Sequence, residues 1–343
     1  METAGEAAGS DTLERSWAYR SAASRARPAI SRVRSTAAEY SRRPRILPGP
    51  QAAPSDPPLK LVSFHRGDRV ATGALLDGDL VLDFTHEATG LPAAAGPLDW
   101  IDLDGAPYGA ARRLVSEGDA RLDALREAGA VLPLADVTLA APLPRPGKVI
   151  CIGLNYRDHA LEQGADIPEL PLVFSKFPSC VAAHGDDVVL PVGATEVDYE
   201  AELAFVIGRT ATRVDEANAM DHVFGYTNCN DVSARDFQFA DGQWQRGKSC
   251  ETFCPTGPFL ATADEIEDPH ALAIRLRLNG ETMQDSSTDQ LIFNVPQLVS
   301  YLSGFVTLEP GDMVLTGTPP GVGFARKPPV YVRAGDVMEV EID

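Results

Sequence analysis

No apolar run in the 343 residues approaches the roughly 18 needed to cross a bilayer, which excludes an integral membrane helix. Basic residues are scarce. There are 30 Lys and Arg against 49 Asp and Glu, a formal net charge of -19, which argues against a nucleic-acid partner. Cysteine is rare too. Cys151, Cys180, Cys229, Cys250 and Cys254 form no zinc-type pair of pairs, and their odd number fits reduced, mostly buried thiols in a reducing compartment. Aromatics reach only 7%, whereas Gly (29) and Pro (27) are frequent, so turns and short strands are expected rather than a helical bundle. What is present is an apolar fraction of 44% and a charged fraction of 23%, the balance of a globular protein with a real core.

The first 58 residues differ from the rest. They carry nine Arg and no Lys against six acids, and few large apolar side chains. Such a segment buries too little surface to offset its ordering entropy. It is read as a disordered or transit-like extension; Arg15 to Arg45 holds nine Arg and one acid, so organelle import stays open beside a cytoplasmic location. A small strand-rich N-terminal domain is expected over 59–142, with strands at 61–64, 74–76 and 80–82, a turn at Gly78-Asp79, and helical spacing over 110–128. Pro142, Pro144 and Pro146-Gly147 then punctuate the chain. From about 143 to 343 short apolar runs are broken by Gly and Pro. They predict a mainly β, α+β domain with strands at 149–152, 203–207, 274–278, 313–315 and 337–342, and helical pieces at 157–163, 215–220 and 295–302.

The stretch Asp198-Tyr199-Glu200-Ala201-Glu202-Leu203-Ala204-Phe205-Val206-Ile207 carries the most chemistry. As a strand it places Glu200, Glu202, Ala204 and Val206 on one face. Two carboxylates there would repel and be desolvated unless a cation joined them; alternatively the strand starts at Leu203 and both acids are solvated. Asp231, after the apolar-aromatic Val223-Phe224-Gly225-Tyr226, favours the first reading. Three carboxylates with no His or Cys suit a hard ion, Mg²⁺ or Mn²⁺. His159 and Glu162 are three apart, on one face of a helix. A Glu on one imidazole nitrogen makes the other a better base; the plainer reading is a surface ion pair.

Gly242-Gln243-Trp244-Gln245-Arg246-Gly247-Lys248-Ser249 formally matches a phosphate-binding loop. That loop needs a long helix after it, and Pro255, Gly257 and Pro258 forbid one, so the nucleotide reading is set aside and Lys248 is kept as a candidate cation. The loop Thr316-Gly317-Thr318-Pro319-Pro320-Gly321-Val322-Gly323 is either a structural turn or a set of N–H groups able to hold a carboxylate.

In order and spacing, the blocks Cys151–Glu162, Asp198–Gly208, Asn230–Gln238, Arg246–Pro258 and Leu315–Gly323 resemble the fumarylacetoacetate hydrolase superfamily. The likeness is to its acylpyruvase and 2-hydroxyhepta-2,4-diene-1,7-dioate isomerase-like branch, and it runs from about Leu59 to Asp343. It implies a mixed β-roll or β-sandwich core, a homodimer, and Mg²⁺ or Mn²⁺ on Glu200, Glu202 and Asp231. It implies a lid dyad, His159 and Glu162, that activates water, with Lys248 at an enolate and Arg235, Gln238 and Thr318 orienting substrate. Cys250-Glu251 departs from the Phe and Asp or Thr more usual there. The expected activity is metal-dependent hydrolysis of a C–C bond in an acylpyruvate-type 2,4-dioxo acid, with no nucleic-acid or membrane partner. Oxaloacetate decarboxylation, dienoate isomerisation or hydration, and a catalytically silent scaffold are the alternatives.

Overall fold

The computed structural model describes residues 57–76 and 79–343. The expected extension, up to residue 56, and Gly78 of the expected turn lie outside the described residues. Elsewhere the mixed, β-rich architecture is the one the apolar runs require. An 11-stranded sheet dominates, and most of its neighbours are antiparallel. At its centre Ala201–Ile207 lies between Val223–Asn230 and Met313–Leu315. Met313–Leu315 in turn pairs in parallel with Val149–Gly153. The N-terminal strands Lys60–Arg66, Arg69–Leu76 and Leu80–Asp83 extend this sheet, because Lys60–Arg66 pairs with Leu260–Thr262.

All seven residues of Ala201–Ile207 are buried, as expected of a strand covered on both faces. The period of two sorts them. Leu203, Phe205 and Ile207 pack with Val295, Leu298, Val299 and Leu302 of the helix Val295–Ser303. Ala204 and Val206, on the other face, join the larger core with Ile274, Leu276 and Met283 of a second, three-stranded sheet. Glu202 shares this second face. The helix Val295–Ser303 begins with a capping box: the Asn294 side chain accepts from the Gln297 N–H and the Gln297 side chain accepts from the Asn294 N–H.

One local expectation is refined: the 110–128 spacing is two helices, Ala106–Ser116 and Asp119–Glu127, interrupted by Gly118 at φ 85°. The helical piece expected at 215–220 is the 3₁₀ helix Glu216–His222. Among the described residues no helix is long and apolar enough to cross a membrane.

The central sheet tolerates no side chain at Gly225. A Cβ there would lie 1.9 Å from the Ala261 carbonyl oxygen. At Gly96, extended at φ -179°, a Cβ would meet nothing within 4 Å. Gly225→Ala is therefore expected to lose on the order of 1–3 kcal/mol through overpacking, and Gly96→Ala less than about 0.5 kcal/mol. Equal urea midpoints for the two variants would contradict this packing.

Candidate metal centre and its His–Glu pair

Register brings the acids together. Glu202 lies opposite Cys229 and Ala201 opposite Asn230, so Asp231, one residue further, ends beside Glu200. The Asp231 N–H donates to the Glu200 carbonyl at 2.8 Å. One carboxylate oxygen from each of Glu200, Glu202 and Asp231 falls within 4.8 Å of the others, and all three residues are buried. The reading in which the two glutamates are solvated does not hold, because the strand begins at Ala201 and Glu202 is 1% exposed.

The protein compensates most of this charge itself. Lys248 Nζ donates to Glu200 Oε2 at 2.7 Å and to Asp231 Oδ2 at 2.8 Å. Lys176 Nζ, fully buried, donates to Asp231 Oδ1 at 2.5 Å and to the Val232 carbonyl at 3.1 Å. Arg235 donates to Glu200 Oε1 at 2.5 Å and, through Nε, to Asp198 Oδ2 at 2.9 Å. Four carboxylates thus face three cations, and the uncompensated one is Glu202. Its Oε2 accepts the Gly317 N–H at 2.7 Å, and no donor among the described residues reaches its other oxygen.

The titration behaviour follows. Burial opposes ionisation of Glu200, but the Lys248 and Arg235 charges outweigh it and hold that carboxyl well below its usual range. Burial, and then the Asp231 and Glu200 charges, push Glu202 well above it. Lys176 is kept charged because the Asp231 carboxylate outweighs the burial that disfavours its ammonium. The nearby thiols of Cys151 and Cys229 are raised by burial, so the donor set is oxygen only. A divalent hard cation fits: it would supply the charge Glu202 lacks and bind oxygens already aimed by their other partners.

His159 and Glu162 come from the short helix Arg157–Gln163. The imidazole is buried, with His159 7% exposed, whereas Glu162 is exposed; His159 Nδ1 lies 2.9 Å from Glu162 Oε2. No protein group among the described residues hydrogen-bonds its Nε2. Glu162 Oε1 accepts the Gly321 N–H at 2.9 Å. The loop 316–323 therefore holds carboxylates, as its glycines suggested, but they are the protein's own. Gly317 serves Glu202, Gly321 serves Glu162, and Gly323 serves Asp198 Oδ1 at 2.7 Å.

Lys248 ends the short helix Gln245–Lys248, with no long helix after it, so the phosphate-loop match is coincidental. Arg235, Gln238 and Thr318 are buried, and each side chain is hydrogen-bonded to the protein. Gln238 Oε1 accepts from Arg235 at 3.0 Å, and Thr318 Oγ1 donates to the Ala201 carbonyl while accepting from Gln284. Sequence reasoning missed Lys176 and Asp198. A lone Lys two residues after the apolar run Leu172-Val173-Phe174 was one signal. Asp198 continues the alternation of Glu200 and Glu202 and was the other.

Residues 148–343 match the model of the family described as fumarylacetoacetate (FAA) hydrolase C-terminal. The chain belongs to this family. The chain is 52% identical over 215 residues, 62% of this chain and 67% of the other, to "Oxaloacetate tautomerase fahd2, mitochondrial" of Xenopus laevis. It is 42% identical over 293 residues, 83% of this chain and 97% of the other, to oxaloacetate tautomerase YisK of Bacillus subtilis strain 168. Among solved structures, it is similar to maleylpyruvate hydrolase from Sphingobium sp. SYK-6, in complex with manganese(II) ion and pyruvate. There the TM-score is 0.64 and the identity 32%, covering 83% of this chain and 95% of that one.

The charge pattern separates ligand from scaffold among the acids. Glu202→Ala should abolish the rise in unfolding temperature that Mn²⁺ produces, while the metal-free protein stays within about 1 kcal/mol of wild type. Asp231→Ala strands Lys176 without its counter-ion and should cost the metal-free protein about 3–5 kcal/mol. Thermal unfolding with and without Mn²⁺ reads both effects. A full Mn²⁺ response in Glu202→Ala would remove that residue from the metal centre.

Proposed function

We propose that this chain is a divalent-metal enzyme that interconverts the keto and enol forms of oxaloacetate or a closely related 2-oxo dicarboxylate. The observation that carries the reading is His159, a buried imidazole with Nδ1 bound to Glu162 and Nε2 without a hydrogen-bond partner among the described residues, tied through loop 316–323 to an oxygen-only acidic cluster. The oxaloacetate tautomerases among its relatives support the choice of substrate.

Tautomerisation moves one proton from C3 to the oxygen on C2 and breaks no carbon–carbon bond. On this reading His159 Nε2 takes the C3 proton, and Glu162 stabilises the imidazolium that forms. The proton is then delivered to the C2 oxygen, directly or through solvent. Mg²⁺ or Mn²⁺ held by Glu200, Glu202 and Asp231 would supply electrophilic stabilisation of the charge developing on that oxygen. Lys248, fixed against Glu200 and Asp231, keeps a further positive charge beside it.

A second reading, hydrolysis of an acylpyruvate, is favoured by the same pair. His159 would take a proton from water as its oxygen adds to the distal carbonyl. The electrons of the broken C–C bond would pass to C3 of the pyruvate fragment. The likeness to a maleylpyruvate hydrolase supports it.

The ultraviolet absorbance of enol-oxaloacetate, followed with Mn²⁺ present, separates the readings. Decay above the spontaneous rate is expected, and His159→Ala should lower kcat by roughly 10²–10⁴ with little change in KM. Turnover of acylpyruvates with no effect on the tautomers would transfer the assignment to hydrolysis. Inertness toward both would sink the enzyme reading.

A further inference from the structure

The helix that carries the His–Glu pair is docked at its start by Arg157, which donates to the Leu291 carbonyl at 2.6 Å, and by Asp158, which accepts from the Ser286 hydroxyl at 2.5 Å; at its far end the docking bond has Glu162 itself as acceptor, through Oε1 and the Gly321 N–H. Glu162 can serve His159 only while that seat holds its orientation. The seat is unusual backbone. Gly321 has φ 103°, and a Cβ on it would lie 2.0 Å from the Met283 carbonyl oxygen. Such a turn, pressed against a neighbouring strand, needs to be held.

Two side chains hold it. Arg326 Nε donates to the Gly321 carbonyl at 3.1 Å, and its Nη2 donates to the Met283 carbonyl at 2.6 Å. The Tyr199 hydroxyl donates to the same Gly321 carbonyl at 3.2 Å. Arg326 forms no ion pair within 4 Å among the described residues. Its planar fork is spent on two carbonyls of facing segments, which a flexible ammonium cannot bridge in one rigid geometry. The clamp spans the residues whose approach sets the Gly321 turn.

We propose that Arg326 is a positioning residue. By clamping Gly321 to Met283 it keeps the Gly321 N–H aimed at Glu162, and so keeps His159 oriented for proton transfer. The kinetic part rests on the proposed role of His159. The structural part does not.

A double-mutant cycle tests it. Arg326→Gln should lower kcat about 10-fold by misplacing the pair, leave KM and the Mn²⁺-dependent thermal shift unchanged, and speed amide hydrogen exchange across residues 157–163. In a Glu162→Ala background, Arg326→Gln should add nothing to either the loss of kcat or the exchange rate, because the seat then has no occupant. Arg326→Lys, able to reach one carbonyl, should recover part of both. Should Arg326→Gln fail to fold, Tyr199→Phe removes only a hydroxyl and should show the same pattern at about 3-fold. Additive losses in the cycle, or unchanged exchange in the 157–163 helix, would overturn the proposal. If the wild-type protein turns over neither oxaloacetate tautomers nor acylpyruvates, the proposed function fails, while hydrogen exchange still decides the clamp.

Discussion

The compensation of buried carboxylates by Arg235, Lys176 and Lys248 is the constraint on which the rest of this molecule depends. Placing Asp198, Glu200, Glu202 and Asp231 at one end of a closed core is prohibitive without it. Each cation bridges: Arg235 joins Asp198 to Glu200, Lys248 joins Glu200 to Asp231, and Lys176 joins Asp231 to the Val232 carbonyl. The acids are therefore held in fixed mutual positions by partners that do not occupy all their oxygens. Leaving one carboxylate unmatched gives the cluster a standing preference for an added cation, and that carboxylate, Glu202, stands on the central strand, whose position the core fixes most firmly.

The same economy governs loop 316–323. Three of its backbone N–H groups are committed to Glu202, Glu162 and Asp198. An acid on the central strand, an acid on the short helix and an acid that anchors Arg235 thus share one rigid element. Displacement of this loop would move all three together. The consequence is that residues with no expected contact with substrate, such as Arg326 and Gln284, belong to the working structure of the site, because they decide where this loop sits.

How far the site was legible in the sequence depends on the range of the interaction. Period-two alternation marked Glu200 and Glu202 with Ala204 and Val206, and it transfers directly to the strand because it is local. The helix over 157–163 was equally readable, and with it the spacing of His159 and Glu162. Lys176 was not, since its meaning lies in Asp231, 55 residues away, and no local pattern encodes that pairing. The helical spacing of 110–128 did not show the break between two helices, because the apolar period survives across Gly118 while the backbone there takes φ 85°. The glycines of loop 316–323 announced donors, but whether they served a ligand or the protein's own acids was decided only by long-range packing.

Lys248 also has an apolar boundary. Its Nζ lies 5.1 Å from the centre of the Phe174 ring, and Phe174 meets Trp244 edge-on at 5.2 Å. An aromatic wall on that side lowers the local dielectric, so the ammonium acts more strongly on charge building nearby than it would in water. On the proposed function this matters for either reaction, because both build negative charge at the same carbon–oxygen system. What distinguishes them is only which proton His159 Nε2 can reach, one on carbon or one on water.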